Sequence, residues 1–253
     1  MENNRIVSRE EWLEARRQHL QKEKEFTRLR DELSAERRRL PWVLVDKPYI
    51  FDGPKGRRTL ADLFDGCSQL MTYHFMLGPD WKEGCPSCSF LSDHIDGALI
   101  HLKHRDVKLM AVSRAPYAEI APFKKRMGWK FDWVSSHGSD FNYDYQASHT
   151  PQAISNNTAY YNYGPLEFPV ADTHGISVFY KDAAGQIFHT YSSYARGCDM
   201  LATTYNYLDL APKGRDEDAL EFTMAWVRHH DRYDGDYRVD ANATYHPPEE
   251  VQA

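Results

Sequence analysis

Gly84-Cys85-Pro86-Ser87-Cys88-Ser89-Phe90 follows the apolar run Leu70-Met71-Thr72-Tyr73-His74-Phe75-Met76-Leu77. Together they read as a strand that delivers two cysteines to the start of a helix. At a helix N-terminus Cys85 meets unpaired backbone N–H groups and the positive end of the helix dipole, both of which favour a thiolate. Cys88 lies nearly one turn further on, close enough to attack a mixed disulfide formed at Cys85. Pro86 suits the first helical position, where its missing N–H costs nothing and its fixed φ starts the turn. Dithiol redox chemistry is therefore the leading reading of the motif. A structural zinc site is an alternative, but it needs two further ligands. The chain has no second Cys-x-x-Cys, Cys67 and Cys198 are isolated, and His94 supplies at most one more donor. Inert thiols are the third reading.

The 253 residues can bury a substantial core, and one large domain with appendages is expected. A net charge of -6, from 31 Lys and Arg against 37 Asp and Glu, gives no reason to expect a nucleic-acid partner. The segment Met1-Glu2-Asn3-Asn4-Arg5-Ile6-Val7 lacks the apolar core of a secretory signal, and no run approaches a membrane span. Four cysteines are too sparse for a secreted disulfide scaffold. The expected location is the cytoplasm, with no membrane partner, and there a Cys-x-x-Cys is more often catalytic than structural.

Ser8 followed by Glu10 and Glu11 predicts a helix start. A charged segment then runs to Arg39, with 11 Lys or Arg and 9 Asp or Glu in residues 1–40. Its apolar residues Trp12, Leu20, Phe26, Leu29 and Leu33 form a narrow stripe that calls for a partner, either the body of the protein or a second copy, so a homodimer is one expectation. Arg37-Arg38-Arg39 is read as a solvated helix end. Strands are predicted at 42–45, 49–51, 69–77, 107–113 and 131–134, and helices at 59–64, 86–104 and 116–128, the last kinked or delayed by Pro122. This β-α-β-α-β order predicts a largely parallel sheet covered by helices. Residues 137–170 lose the pattern and are rich in tyrosine, which suits an insertion that binds substrate, covers a dimer contact or packs as a surface loop. Gly175–Tyr180 and Gln186–Tyr191, around Asp182-Ala183-Ala184-Gly185, form a hairpin signal. A last core helix is expected to open at Arg196-Gly197-Cys198-Asp199 and a further helix to span 217–230, followed by a loosely ordered tail after Tyr237. Cys67 and Cys198 are read as small packed side chains.

These residues resemble a family of bacterial thioredoxin-like proteins described as predicted dithiol-disulfide oxidoreductases, long filed as a domain of unknown function. The matching text includes Trp81–Phe90, Ala111-Val112-Ser113-Arg114-Ala115-Pro116, Gly138–Tyr143, His189-Thr190-Tyr191, Tyr194-Ala195-Arg196-Gly197 and Tyr205–Asp209, and it reaches from about 8 to 230. The resemblance implies an α/β thioredoxin-like fold with a central mixed sheet flanked by helices, plus a long N-terminal helical extension. Its division is 1–40 extension, 41–210 thioredoxin-like domain with the insertion at 137–170, and 211–253 C-terminal helix and tail. Cys85 is then the attacking thiolate and Cys88 the resolving thiol. Trp81, Pro86 and Ser87 support the motif, and Trp81 shields it. The expected partners are a protein or small-molecule disulfide and a thiol electron donor, with no cofactor or metal. Two departures stand out. Thr173-His174-Gly175 occupies the place where thioredoxins carry a cis-proline, and the inner pair is Pro86-Ser87, which leaves the potential open. A peroxiredoxin-like thiol peroxidase is the alternative within the fold. Those enzymes place a threonine three residues, and a proline seven residues, before the reactive cysteine, where this chain has Lys82 and Gly78. A non-catalytic binding or assembly module, with inert or zinc-bound thiols, is the alternative outside it.

Overall fold

The structure is a computed structural model in which residues 4–233 are described. The chain divides into two units at Trp42. In the first, Ser8 accepts a hydrogen bond from the Glu11 amide and caps one unbroken helix, α1 (Arg9–Arg37), with Glu10 and Glu11 in its first turn. Trp12, Phe26, Leu29 and Leu33 are each at least half exposed.

The second unit is built on one eight-stranded sheet. In chain order its elements begin with β1 (Val43–Leu44), β2 (Ile50–Gly53), β3 (Gly56–Thr59), α2 (Leu60–Leu63) and β4 (Gln69–His74). The motif helix α3 (Pro86–Ser92) follows, then α4 (Ile95–His104), β5 (Val107–Ser113), α5 (Tyr117–Arg126) and β6 (Asp132–Ser135). The insertion holds α6 (Phe141–Asp144), α7 (Pro151–Ser155) and the two-stranded ribbon β7 (Tyr160–Tyr161) and β8 (Gly164–Pro165). The hairpin β9 (Gly175–Lys181) and β10 (Ile187–Tyr194), a 3-10 turn at Ala195–Leu201 and α8 (Thr203–Leu208) complete the regular structure.

Strand order is β1-β10-β9-β4-β5-β6-β2-β3. Only β4, β5 and β6 are parallel neighbours; β9 pairs antiparallel with β4, β10 with β9, and β2 with β6. The sheet is therefore mixed rather than largely parallel, because the late hairpin inserts beside β4 instead of extending the parallel edge. A βαβ unit flanked by an antiparallel hairpin, with the Cys-x-x-Cys helix following the central strand, is the thioredoxin-like arrangement.

Alternation along β4 sends Tyr73 to one face and Leu70 to the other. The first face gathers Tyr73, Phe75, Phe123, Trp129 and Trp133 around Cys85 and Cys88, and the second packs Phe51, Phe64, Met110, Phe141 and Phe179. The helix expected over 86–104 is broken at Asp93–His94, although its apolar spacing runs on. The Asp93 carboxylate there receives Trp129 Nε1 at 2.8 Å and His230 Nδ1 at 2.7 Å. Pro122 lies inside α5.

The helix expected at 217–230 is a series of turns, a correction with a visible cause. Glu217 Oε1 accepts from the Trp226 indole (2.6 Å), the Met224 amide (3.0 Å) and the Tyr205 hydroxyl (2.7 Å), so the backbone wraps a carboxylate and keeps only single-turn bonds such as Leu220 N to the Glu217 carbonyl in place of a helical ladder. Met224, Trp226 and Val227 then pack on Phe90 of the motif helix and on Tyr205. The tail expected after Tyr237 lies outside the described residues. No described helix is long and apolar enough to cross a membrane.

On the second face of the sheet, His74 is fully buried, and a polar chain runs from its Nε2 to Ser177 (2.9 Å), Ser192 (2.8 Å) and His189 (2.8 Å). Burial pushes His74 down to about 3, and Asn142 opposes the shift without closing an ordinary hydrogen bond onto the unpartnered Nδ1. His149, His174, His189 and His229 are shifted in the same direction, chiefly by desolvation. Their folded-state pKa values lie below the unfolded value, so the unfolded chain binds more protons below pH 6.5. Stability is thus expected to be full above that pH and to fall as the pH drops from 6.5 towards 3. His74 contributes on the order of 1.4 kcal/mol per pH unit over that window. Urea unfolding at pH 7, 6, 5 and 4 checks this, and a flat profile would contradict it.

Candidate active site

Cys85 is the N-cap of α3, and its Sγ accepts the Cys88 amide at 3.3 Å, while Pro86 stands in the first turn. The backbone of Met76, just past β4, holds both cysteines. Its carbonyl accepts the Cys85 amide (3.0 Å), and its amide points at Cys88 Sγ (3.5 Å). Gly84 is required for this approach, since a Cβ there would sit 2.5 Å from Phe75 Cε1 and 2.6 Å from Phe123 Cε1. The two cysteines form no disulfide in this structure and are buried, Cys85 being 4% and Cys88 1% exposed.

The two sulfurs are not equivalent. Burial, then the neighbouring Cys85, push the Cys88 thiol well above the usual thiol range, while a hydrogen bond from Tyr73 acts in the other direction. Cys88 is thus held as a neutral thiol by burial even though the Met76 amide points at it, and at the helix cap the Cys88 amide favours negative charge on Cys85. Cys198 belongs to the same apolar cluster, and it borders a 40 Å³ cavity together with Cys88, Tyr73 and His174. Burial pushes its thiol up to about 12, and it donates weakly to the Ser193 carbonyl (3.4 Å). Cys67 is buried at the entrance to β4. Among the described residues no three His, Cys, Asp or Glu side chains converge as a metal-binding group.

His174, in the place of the thioredoxin cis-proline, is fixed by the insertion. Its carbonyl accepts the Tyr161 hydroxyl (2.8 Å), which in turn accepts the Ala195 amide (2.9 Å). Its Nε2 lies 3.2 Å from the Ala195 carbonyl, so Nε2 carries the hydrogen and Nδ1 keeps its lone pair. Tyr161 reaches this position because Asn162 and Tyr163, both at positive φ (50° and 63°), make the tight turn of the β7–β8 ribbon.

Trp81 and Ser87 line a separate cavity of 710 Å³ that abuts the motif. Glu83 is bound by Arg126 Nη1 (2.7 Å) and by Arg232. Arg126 also holds Asp231, and His229 Nε2 meets the Gly84 carbonyl at 2.7 Å, so residues 229–232 fasten onto the loop entering the motif. Sequence reasoning missed one further group. Asp172 forms a two-pronged ion pair with Arg114 (both contacts 2.7 Å) and accepts from Ser148 (2.7 Å). The Arg114 position was visible in Ser113-Arg114-Ala115-Pro116, but nothing in the spacing marked Asp172 as its partner.

Residues 1–233 match the family described as "Bacterial protein of unknown function (DUF899)". The chain belongs to that family. No curated protein matches it. Among solved structures, a cysteine-to-serine variant of PrxQ from Xylella fastidiosa is similar over 65% of this chain and 90% of its own, with 12% identity and a TM-score of 0.41. Peroxiredoxin Q from Xanthomonas campestris, also a cysteine-to-serine variant, is similar over 68% and 94%, with 14% identity and a TM-score of 0.41. Peroxidoxin BcpB from Mycobacterium tuberculosis is similar over 65% and 93%, with 13% identity and a TM-score of 0.37.

Proposed function

We propose that this DUF899 protein is a dithiol-disulfide oxidoreductase working through Cys85 and Cys88. The observation that carries the reading is the asymmetry of the pair: a helix-capping sulfur that receives an amide, one turn before a buried neutral thiol. The Cys85 thiolate attacks one sulfur of a substrate disulfide, forming a mixed disulfide and expelling one thiolate. Cys88 then loses its proton and attacks Cys85 Sγ, closing the Cys85–Cys88 disulfide and expelling the second thiolate. Two electrons pass to the substrate, and its two thiolates are protonated by the proton that Cys88 releases and by the one that Cys85 gave to solvent on ionising. His174 lines the same small cavity as Cys88, and Trp81, Pro86 and Ser87 shape the motif's mouth and first turn. Turnover draws electrons from an external thiol, and the expected setting is the cytoplasm.

A single-turnover reaction tests the reading. Reduced protein mixed with one equivalent of disulfide is expected to end with Cys85 and Cys88 joined and with Cys67 and Cys198 still open to alkylation after unfolding. Loss of free thiol elsewhere would contradict it. Replacing the disulfide by a hydroperoxide tests the peroxidase alternative, in which Cys85 passes through a sulfenic acid that Cys88 resolves.

A further inference from the structure

The 710 Å³ cavity falls within the range of small-molecule sites. Met76, Trp81, Phe168, Val170, Phe222 and Met224 form its walls, contributed by the loop before the motif, the end of the insertion and the segment after α8. Its contacts with the motif are Ser87, between the two cysteines, and Met76, whose backbone holds both of them. Asp172 is the one carboxylate among the described residues that line it, no described lysine or arginine does so, and Arg114 already neutralises that carboxylate at two 2.7 Å contacts.

From this we infer that the cavity is the substrate seat of the dithiol site and that it takes a small, uncharged, apolar disulfide. The inference rests on the proposed oxidoreductase reading and adds the substrate class. A charged disulfide entering these walls would shed its hydration with no free ion to meet it, since the single carboxylate is already paired. An apolar one exchanges water for aromatic and thioether surface. The reaction is the two-electron exchange above: R–S–S–R and two protein thiols give two R–SH and the Cys85–Cys88 disulfide.

The test compares dithiodipyridine, which is uncharged, with its dicarboxylate, dithiodinicotinate, on the reduced full-length protein. Each rate of thione release is divided by that probe's rate with mercaptoethanol, which removes intrinsic reactivity. A normalised preference of about tenfold or more for the uncharged probe is expected. Val170→Asp is expected to cut the rate with the uncharged probe by about tenfold while leaving the midpoint of the Cys85–Cys88 couple in place. Phe168→Lys, at a half-exposed rim position that tolerates charge, is expected to raise the dicarboxylate's rate and so keeps the test open should Val170→Asp fail to fold. Equal normalised rates, or selectivity that neither variant moves, would overturn the cavity assignment and leave the dithiol reading standing. If Cys85 and Cys88 neither react with either probe nor form a disulfide in thiol buffers, the dithiol reading fails and the substrate inference fails with it.

Discussion

Replacing Cys85 with serine is expected to abolish disulfide exchange, whereas Cys88→Ser is expected to stop it half-way. The two outcomes differ because the proposed roles of the two sulfurs differ. Cys85 Sγ caps the helix and takes the Cys88 amide, so it is the sulfur on which negative charge is stabilised. A serine keeps the cap but offers no thiolate, and the background from Cys88 is small because burial holds that thiol neutral. In Cys88→Ser the first attack proceeds and the mixed disulfide at Cys85 persists, one substrate thiol being released where the unmodified protein releases two. Intact-mass spectrometry after a single turnover reads both results. A Cys85→Ser protein that still exchanges disulfides, or a Cys88→Ser protein that releases both thiols, would reverse the assigned roles.

The second large effect falls on stability. Asp172 has a side chain only 4% exposed, and its charge is met by two Arg114 nitrogens and the Ser148 hydroxyl. Arg114→Leu removes the counter-ion and leaves a buried carboxylate beside the apolar cavity, with an expected loss of about 3 kcal/mol at pH 7. Arg114→Leu combined with Asp172→Asn removes the stranded charge and is expected to recover part of that loss. Urea unfolding of the single and double variants measures the recovery. If the double variant is no more stable than Arg114→Leu alone, the loss comes from Arg114 packing, including its contact with Tyr143 (Nη1 to hydroxyl 3.0 Å), and not from the exposed charge of its partner.

Local signals carried much of the fold into view. Ser8, Pro86 and the run 69–77 marked elements that formed close to where capping and periodicity place them. The hairpin around Asp182–Gly185 is legible for the same reason, its turn and alternation being properties of adjacent residues. What stayed hidden depends on contacts between distant residues. Glu217 converts an expected helix into turns by holding Met224 and Trp226, a cost in backbone bonding that helical spacing cannot register. The position of β9 beside β4 follows from sheet assembly, so the order β-α-β-α-β overstated the parallel share.

The candidate site divides in the same way. The placement of Cys85 as a helix cap and of Cys88 in the first turn could be read from four consecutive residues, because capping and the fixed φ of proline are local properties. His174 was noticed only as a departure from proline. Its tautomer and its place on the small cavity that Cys88 also borders depend on Tyr161 and Ala195, which approach it through the insertion and the turn after β10. The sequence of the tyrosine-rich insertion suits several roles equally, because its residues carry no periodic pattern. Phe141 and Tyr145 at its start belong to the core of the second face, while Tyr161, Phe168 and Val170 shape the site.

The most direct measurement is a redox titration of the purified protein in defined thiol–disulfide buffers, read by differential alkylation and peptide mass mapping. The expected result is one reversible two-electron transition confined to Cys85 and Cys88, whose midpoint identifies the cellular couple able to drive it. If those two thiols form no disulfide anywhere in the accessible range, the central claim is wrong.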